Sequence, residues 1–231
     1  VIVCGDTQLG TVDKGVKLGD YNDFTGKVTI NGNGKTITST ATRGINIETT
    51  GKVEINDLTI TCSGQRAINV LEAAELTLNN VNATASTYAL AFALEAAGSK
   101  TVVNNSTLTG LAVVNVAVAN VNVEINDSVI NNVDNSAAEN YGAINIGRNA
   151  TGSKVVVNGG KVNVSDDSYG ASVFGIGGDV TFNGTAGTTN VEYIVATNDG
   201  YGYTDLQEAL NDAILTGEPV ELIRDVEIDD V

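Results

Sequence analysis

Three glutamates form the most regular set of reactive groups in the chain. Glu48, Glu72 and Glu95 each follow a short segment of the same apolar-polar-apolar pattern, at steps of 24 and 23 residues. Carboxylates stacked at such a repeat could bind Ca²⁺ through hard oxygen ligands. Two of them could also act as acid and base on a glycosidic bond, if held roughly 5–9.5 Å apart. The competing reading is a solvated acidic edge that keeps the surface soluble and blocks strand association.

Other chemistries drop out by composition. The chain has 231 residues and no His, so a Ser-His-Asp triad, a Cys-His dyad and a His-ligated metal are all excluded. Cys4 and Cys62 lack Cys-x-x-Cys spacing and match neither a metal site nor an activated nucleophile. Cys62 is in phase with Leu58 and Ile60 and should face inward; one disulfide between it and Cys4, or two free thiols, fits equally well. Arg43, Arg66, Arg148 and Arg224 sit in no recognisable motif, although Arg43 and Arg66 precede equivalent segments and should stack on one outer face. Lys and Arg number 12 against 28 Asp and Glu, a net charge of −16. That balance gives no broad attraction to nucleic acid or to an anionic membrane. No nucleic-acid partner, no membrane insertion and no required cofactor are therefore expected, with Ca²⁺ the one ion left open.

The elements that position these groups are strands. Val, Ile and Thr total 73 against 14 Leu, and β-branched side chains suit a pleated surface. Asn, at 27 residues, is the turn former in excess. A repeat is present, and repeats decide architecture before single elements do. Alternating apolar positions end in Asn at Asn31, Asn56, Asn79, Asn104, Asn126, Asn158 and Asn183. A second apolar pair follows each corner. A further strand, such as Ala67-Ile-Asn-Val70 or Ala143-Ile-Asn-Ile146, lies midway through each period.

Period-2 alternation buries one face of such strands and wets the other. Asn46, Asn69, Asn145 and Ser172 are accordingly assigned to a wet, uncharged face. The pattern predicts an all-β fold: a parallel β-helix, or solenoid, of about seven coils over residues 26–188. Stacked at one corner, the seven Asn amides would hydrogen-bond in a ladder. A leucine-rich repeat is excluded because Asn follows the apolar residue directly and Leu is scarce.

Residues 1–25 lack the repeat and are the candidate N-terminal cap, since a solenoid end needs covering. Residues 189–231 read as strand, helix and strand, a small α/β segment. Thr204 and Gln207 match a capping box. Leu206, Ala209, Leu210, Ala213 and Ile214 share a helical face, and Gly217 ends the helix. This segment either caps the solenoid or opens a following repeat unit. The long step from Asn126 to Asn158 implies an insertion at Asn131–Tyr141, with Arg148–Lys154 a second candidate loop.

The corner Asn series and the 22–25-residue coils resemble the right-handed parallel β-helices of the pectate-lyase-like superfamily. Right-handed coiling also follows the general crossover preference. The segment Tyr203–Val226 is similar to short helix-strand units in repeat-containing bacterial cell-surface proteins of the adhesin type. The superfamily's lyases hold Ca²⁺ with clustered acids and use Arg or Lys as base; its hydrolases add a His that this chain lacks.

The resemblance thus implies a non-catalytic extracellular or cell-surface module, an adhesin-like scaffold. It would be a monomer or part of a longer surface protein, meeting a host or cell-surface glycan or protein. The alternative is a polysaccharide lyase or glycoside hydrolase, for which Tyr88, Tyr141 and Tyr169 are the few aromatic platforms. Ice binding through a flat Thr array is discounted. Thr29, Thr59, Thr77 and Thr181 fall at outward positions, but one Thr per coil with Glu or Val intervening makes no lattice.

Overall fold

A computed structural model describes residues 1–9, 16–18, 26–133, 142–165 and 169–228. The chain winds into a parallel β-solenoid with three faces. The first face stacks the leading halves of Lys27–Ser39 and Lys52–Cys62, then Glu75–Asn79, Lys100–Asn104, Asn122–Asn126, Lys154–Asn158 and Asp179–Asn183. Lys27–Ser39 and Lys52–Cys62 turn the corner without a break and continue into the second face. That face adds Asn82–Ala85, Thr107–Gly110, Val129–Asn132, Lys161–Asn163 and Ala186–Gly187. The third face runs from Val16–Leu18 through Arg43–Ile47, Arg66–Glu72, Tyr88–Glu95, Val114–Val116, Ile144–Ile146 and Ala171–Val173 to Val191–Tyr193.

Register keeps like residues over like. Val28, Val53, Leu76, Thr101, Val123, Val155 and Val180 form one inward row. Ile30, Ile55, Leu78, Val103 and Ile125 form the next, and from Ile55 onward these are fully buried. Phe92, also fully buried, contributes from the third face. Thr101 is the polar exception. It is 2 % exposed, and its hydroxyl has no hydrogen-bond partner.

The Asn ladder is complete. Asn56, Asn79, Asn104, Asn126, Asn158 and Asn183 each donate a side-chain amide to the Asn one coil before, at 2.8–3.0 Å, ending at Asn31. Seven corners enclose six intervals, so the solenoid has about six turns rather than seven. The turn itself needs a left-handed residue after most ladder positions: Asp57, Asn80, Asn105 and Asp127 have φ of 44–53°, and Gly159 and Gly184 take over later. Asn and Asp tolerate that region better than other side chains. Ser106 and Ser128 complete the corner from inside. Each donates to its own coil's ladder carbonyl at 2.7 Å and accepts a backbone N–H from the preceding coil at 3.0 Å.

The third face departs from the alternation rule. Asn46, Asn69 and Ser172 are fully buried and Asn145 nearly so, not wet as expected. They hydrogen-bond to one another instead: Asn69 donates to Asn46 at 2.6 Å, Asn145 to Asn115 at 2.8 Å, and Ser172 to Asn145 at 3.2 Å. An amide can be buried at modest cost when a neighbouring coil satisfies it.

At the N-terminal end, Thr7–Leu9 pairs with Ile37–Ser39 and Val16–Leu18 with Ile45–Ile47, so this region adds strands to the first coil. Cys4 is exposed, Cys62 is buried, and neither is bridged. Burial pushes the Cys62 thiol pKa up, which makes it inert.

At the other end, helix α1 spans Leu206–Thr216. Its N-cap is Asp205, whose carboxylate accepts from the Glu208 N–H at 3.0 Å, one residue later than the Thr204 capping box predicted. Its C-cap is Gly217, in the left-handed region. Of its apolar face only Ala209 is buried; Ile214 is 80 % exposed. Ala196–Asn198 pairs antiparallel with Tyr201–Tyr203 and with Glu221–Leu222. Among the described residues no helix is long and apolar enough to cross a membrane.

Candidate functional site

The three glutamates sit where the third face ends. Glu72 and Glu95 are register partners across a small irregularity, with Leu94 at a positive φ of 56° beside them. Glu48 follows Ile47, which pairs with Val70, so it falls one residue short of Glu72 in the stack. It is also engaged: Asn46 donates to it, and Lys17 lies 3.6 Å away. The structure therefore brings two of the three together and holds the first apart. Among the described residues no group of three or more acidic, Cys or His side chains could hold a metal ion.

Arg43 and Arg66 stack as the repeat suggested. Arg66 donates to Asn69 at 2.9 Å and lies 5.5 Å over the Tyr88 ring. Desolvation, followed by the like charge of Arg43, lowers its pKa. Tyr88 is thus a partner of an arginine rather than an open platform. Burial, with Glu192 and Glu208 nearby, raises the Tyr169 phenol pKa. Tyr141 and residues 134–140 of the expected insertion lie outside the described residues, while Asn131 and Asn132 belong to a strand. In the second expected loop, Arg148 binds Glu221 at 2.7 Å and donates to Thr197 at 3.1 Å, tying the C-terminal segment to the coils.

A surface that sequence reasoning missed lies on the first face. Lys100, Asn122 and Lys154 are register partners in one outward row, with Val102, Glu124 and Val156 in the next. Together they line an open recess of about 360 Å³. Two ammonium groups flank an amide, and one carboxylate lies between two apolar side chains. Such a comb can hydrogen-bond to hydroxyls and carboxylates and can pack against an apolar edge. The signal was present in the positions just before the strand core, where Lys27, Lys52, Lys100 and Lys154 recur.

Elsewhere on this face the charges neutralise one another. Lys52 pairs with Glu75 at 2.9 Å, and Lys27 pairs with Glu54. These contacts hold both carboxyls below the usual range, Glu54 through Lys27 first and Asn56 second, Glu75 through Lys52. A lowered carboxyl pKa is the opposite of what a general acid needs. The corner recess of about 270 Å³ is lined by Asp57, Asn80, Asn105 and neighbours, with Asn80 donating to Asp57 at 2.7 Å. A third, of about 610 Å³, lies by the C-terminal segment among Ile176, Leu206, Leu222 and Ile228. None of these three recesses is lined by Glu48, Glu72 or Glu95.

Comparison with protein-family models, with curated proteins and with solved structures gives no match.

Proposed function

We propose that the chain is a non-catalytic extracellular or cell-surface module: an adhesin-like scaffold of the pectate-lyase-like type whose first face meets a glycan or protein. The observation that carries this reading is the Lys100, Asn122, Lys154 and Glu124 surface, an open comb of donors and acceptors on a rigid stack. Binding residues held on regular strands keep their geometry without loop ordering. The paired carboxylates Glu54 and Glu75, held ionised by lysines, fit a binding surface better than an acid-base site.

The test is an array of cell-surface and plant glycans and surface proteins probed with the full chain and with a Lys100→Ala, Lys154→Ala variant. Selective retention that the double variant loses supports the reading. Retention by neither chain, or equal retention by both, removes this surface from it.

The register pair Glu72 and Glu95 favours a second reading, a polysaccharide lyase or glycoside hydrolase of the β-helix type. Adjacent parallel strands lie about 4.8 Å apart, near the ~5 Å carboxyl separation of retaining hydrolases. Ca²⁺ would belong to the lyase form of that reading.

A further inference from the structure

The second face carries a grid of threonines that neither reading uses. Thr36, Thr59, Asn82 and Thr107 form one row of register partners, and Thr38, Thr61, Thr84 and Thr109 form the row beside it. The residues between the rows, Ile37, Ile60, Ala83 and Leu108, all point into the core. Seven of eight outward positions over four coils are therefore Thr, two in each coil except the one that holds Asn82. Counted at one Thr per coil, Thr59 falls in line with Thr29 and Thr77. The structure separates them: Thr29 and Thr77 share the first-face row with Glu54, whereas Thr59 belongs to this grid.

Three properties distinguish the grid from an ordinary wet face. First, it is regular: the register runs without a shift from Thr36 to Thr109, so the rungs repeat at about 4.8 Å and the two rows stand about 6.7 Å apart. Second, its hydroxyls are available. Among the described residues only Thr109 is engaged, accepting from Asn131 at 3.4 Å. Third, charge is excluded. A chain with 40 charged residues places none in the eight positions; charge returns only at the ends of the first row, at Asp6, whose carboxylate accepts from the Thr36 backbone N–H at 2.8 Å, and at Lys161 beyond Val129.

We propose that this face binds ice. Oxygen rows on the faces of hexagonal ice repeat at nearly these two distances, so each hydroxyl can occupy, or order a water at, a lattice position. Water-mediated contacts cost little when the waters are already placed. The partner is an ordered water lattice rather than a protein or sugar, because the grid offers no charge to select a protein and no aromatic ring to stack a sugar. Asn82 is the single interruption, and its amide retains a donor and an acceptor.

The test uses the full chain in ice-recrystallisation and thermal-hysteresis measurements, with crystal shape recorded during growth. The native protein should facet growing crystals and slow recrystallisation at concentrations where albumin does neither. Thr61→Lys, at an exposed position, should raise the effective concentration by about tenfold or more, since one raised ammonium lifts the plane from the lattice. Thr77→Lys on the first face should leave it unchanged, with circular dichroism confirming both folds. Ice indistinguishable from the albumin control, or equal losses in the two variants, would overturn the proposal.

Discussion

Asn104 donates its side-chain amide to Asn79 Oδ1 at 2.8 Å and accepts from Asn126 Nδ2 at 3.0 Å, so one residue closes two rungs across three coils. Its replacement by Ala leaves an orphan donor on Asn126 and an orphan acceptor on Asn79, both half-buried. At about 1–3 kcal/mol for each of these two unsatisfied groups, the expected loss is about 2–6 kcal/mol. Chemical denaturation of Asn104→Ala against the native chain measures it. A loss below the effect of an exposed substitution such as Asn122→Ala would mean the ladder does not act as a connected array.

Thr101 offers the opposite sign. Its row is otherwise Val or Leu, and its hydroxyl is buried without a partner. Thr101→Val keeps the shape and removes the unpaired group. It should stabilise the chain by about 1 kcal/mol, read as a shift in denaturation midpoint. Destabilisation would show that the hydroxyl has a partner in solution.

Gly160 sits at φ 65°, and a Cβ there would lie 2.0 Å from the Ser128 carbonyl oxygen. The obstacle is backbone, so it cannot rotate away. Gly160→Ala should cost more than ~2 kcal/mol, beyond the left-handed penalty alone. Gly34, also at positive φ but with open space around it, serves as the control, and Gly34→Ala should cost clearly less.

Tyr203 donates to the Asp212 carboxylate at 2.6 Å, and desolvation with that hydrogen bond pushes its phenol up to about 12. A phenol whose folded pKa exceeds its unfolded value of about 10 contributes stability fully below pH 10. That contribution is lost as pH rises through about 12. A spectroscopic tyrosine titration should show a late-ionising phenol that disappears in Tyr203→Phe. Tyr169, also raised, titrates late as well, so the readout is the difference between the two chains.

Much of this fold is legible in the sequence because a solenoid repeats its instructions. The Asn corners, the inward Val and Ile rows and Cys62 in the core all follow from period and phase. Three features are not legible, each for a physical reason. Asn46 and Asn69 look wet by alternation, yet neighbouring coils satisfy their amides and permit burial. Asp205 replaces Thr204 as the cap because either side chain could serve and only backbone dihedrals decide. The Thr grid stays hidden because outward residues of two faces look alike until the corner is located. Thr59 then moves away from Thr29 and joins Thr36 and Thr61. The Lys100 to Lys154 surface needs the same assignment, since its members lie 54 residues apart.

The most direct test of the scaffold account is incubation of the full chain with a panel of acidic and neutral polysaccharides. Retardation in affinity electrophoresis and release of new ends are followed in the same samples, with and without Ca²⁺. A non-catalytic scaffold gives retardation by at least one polysaccharide, weakened in the Lys100→Ala, Lys154→Ala variant, with no new reducing ends and no unsaturated products. Depolymerisation that a Glu72→Gln, Glu95→Gln variant abolishes would contradict it and make the third-face edge a catalytic site.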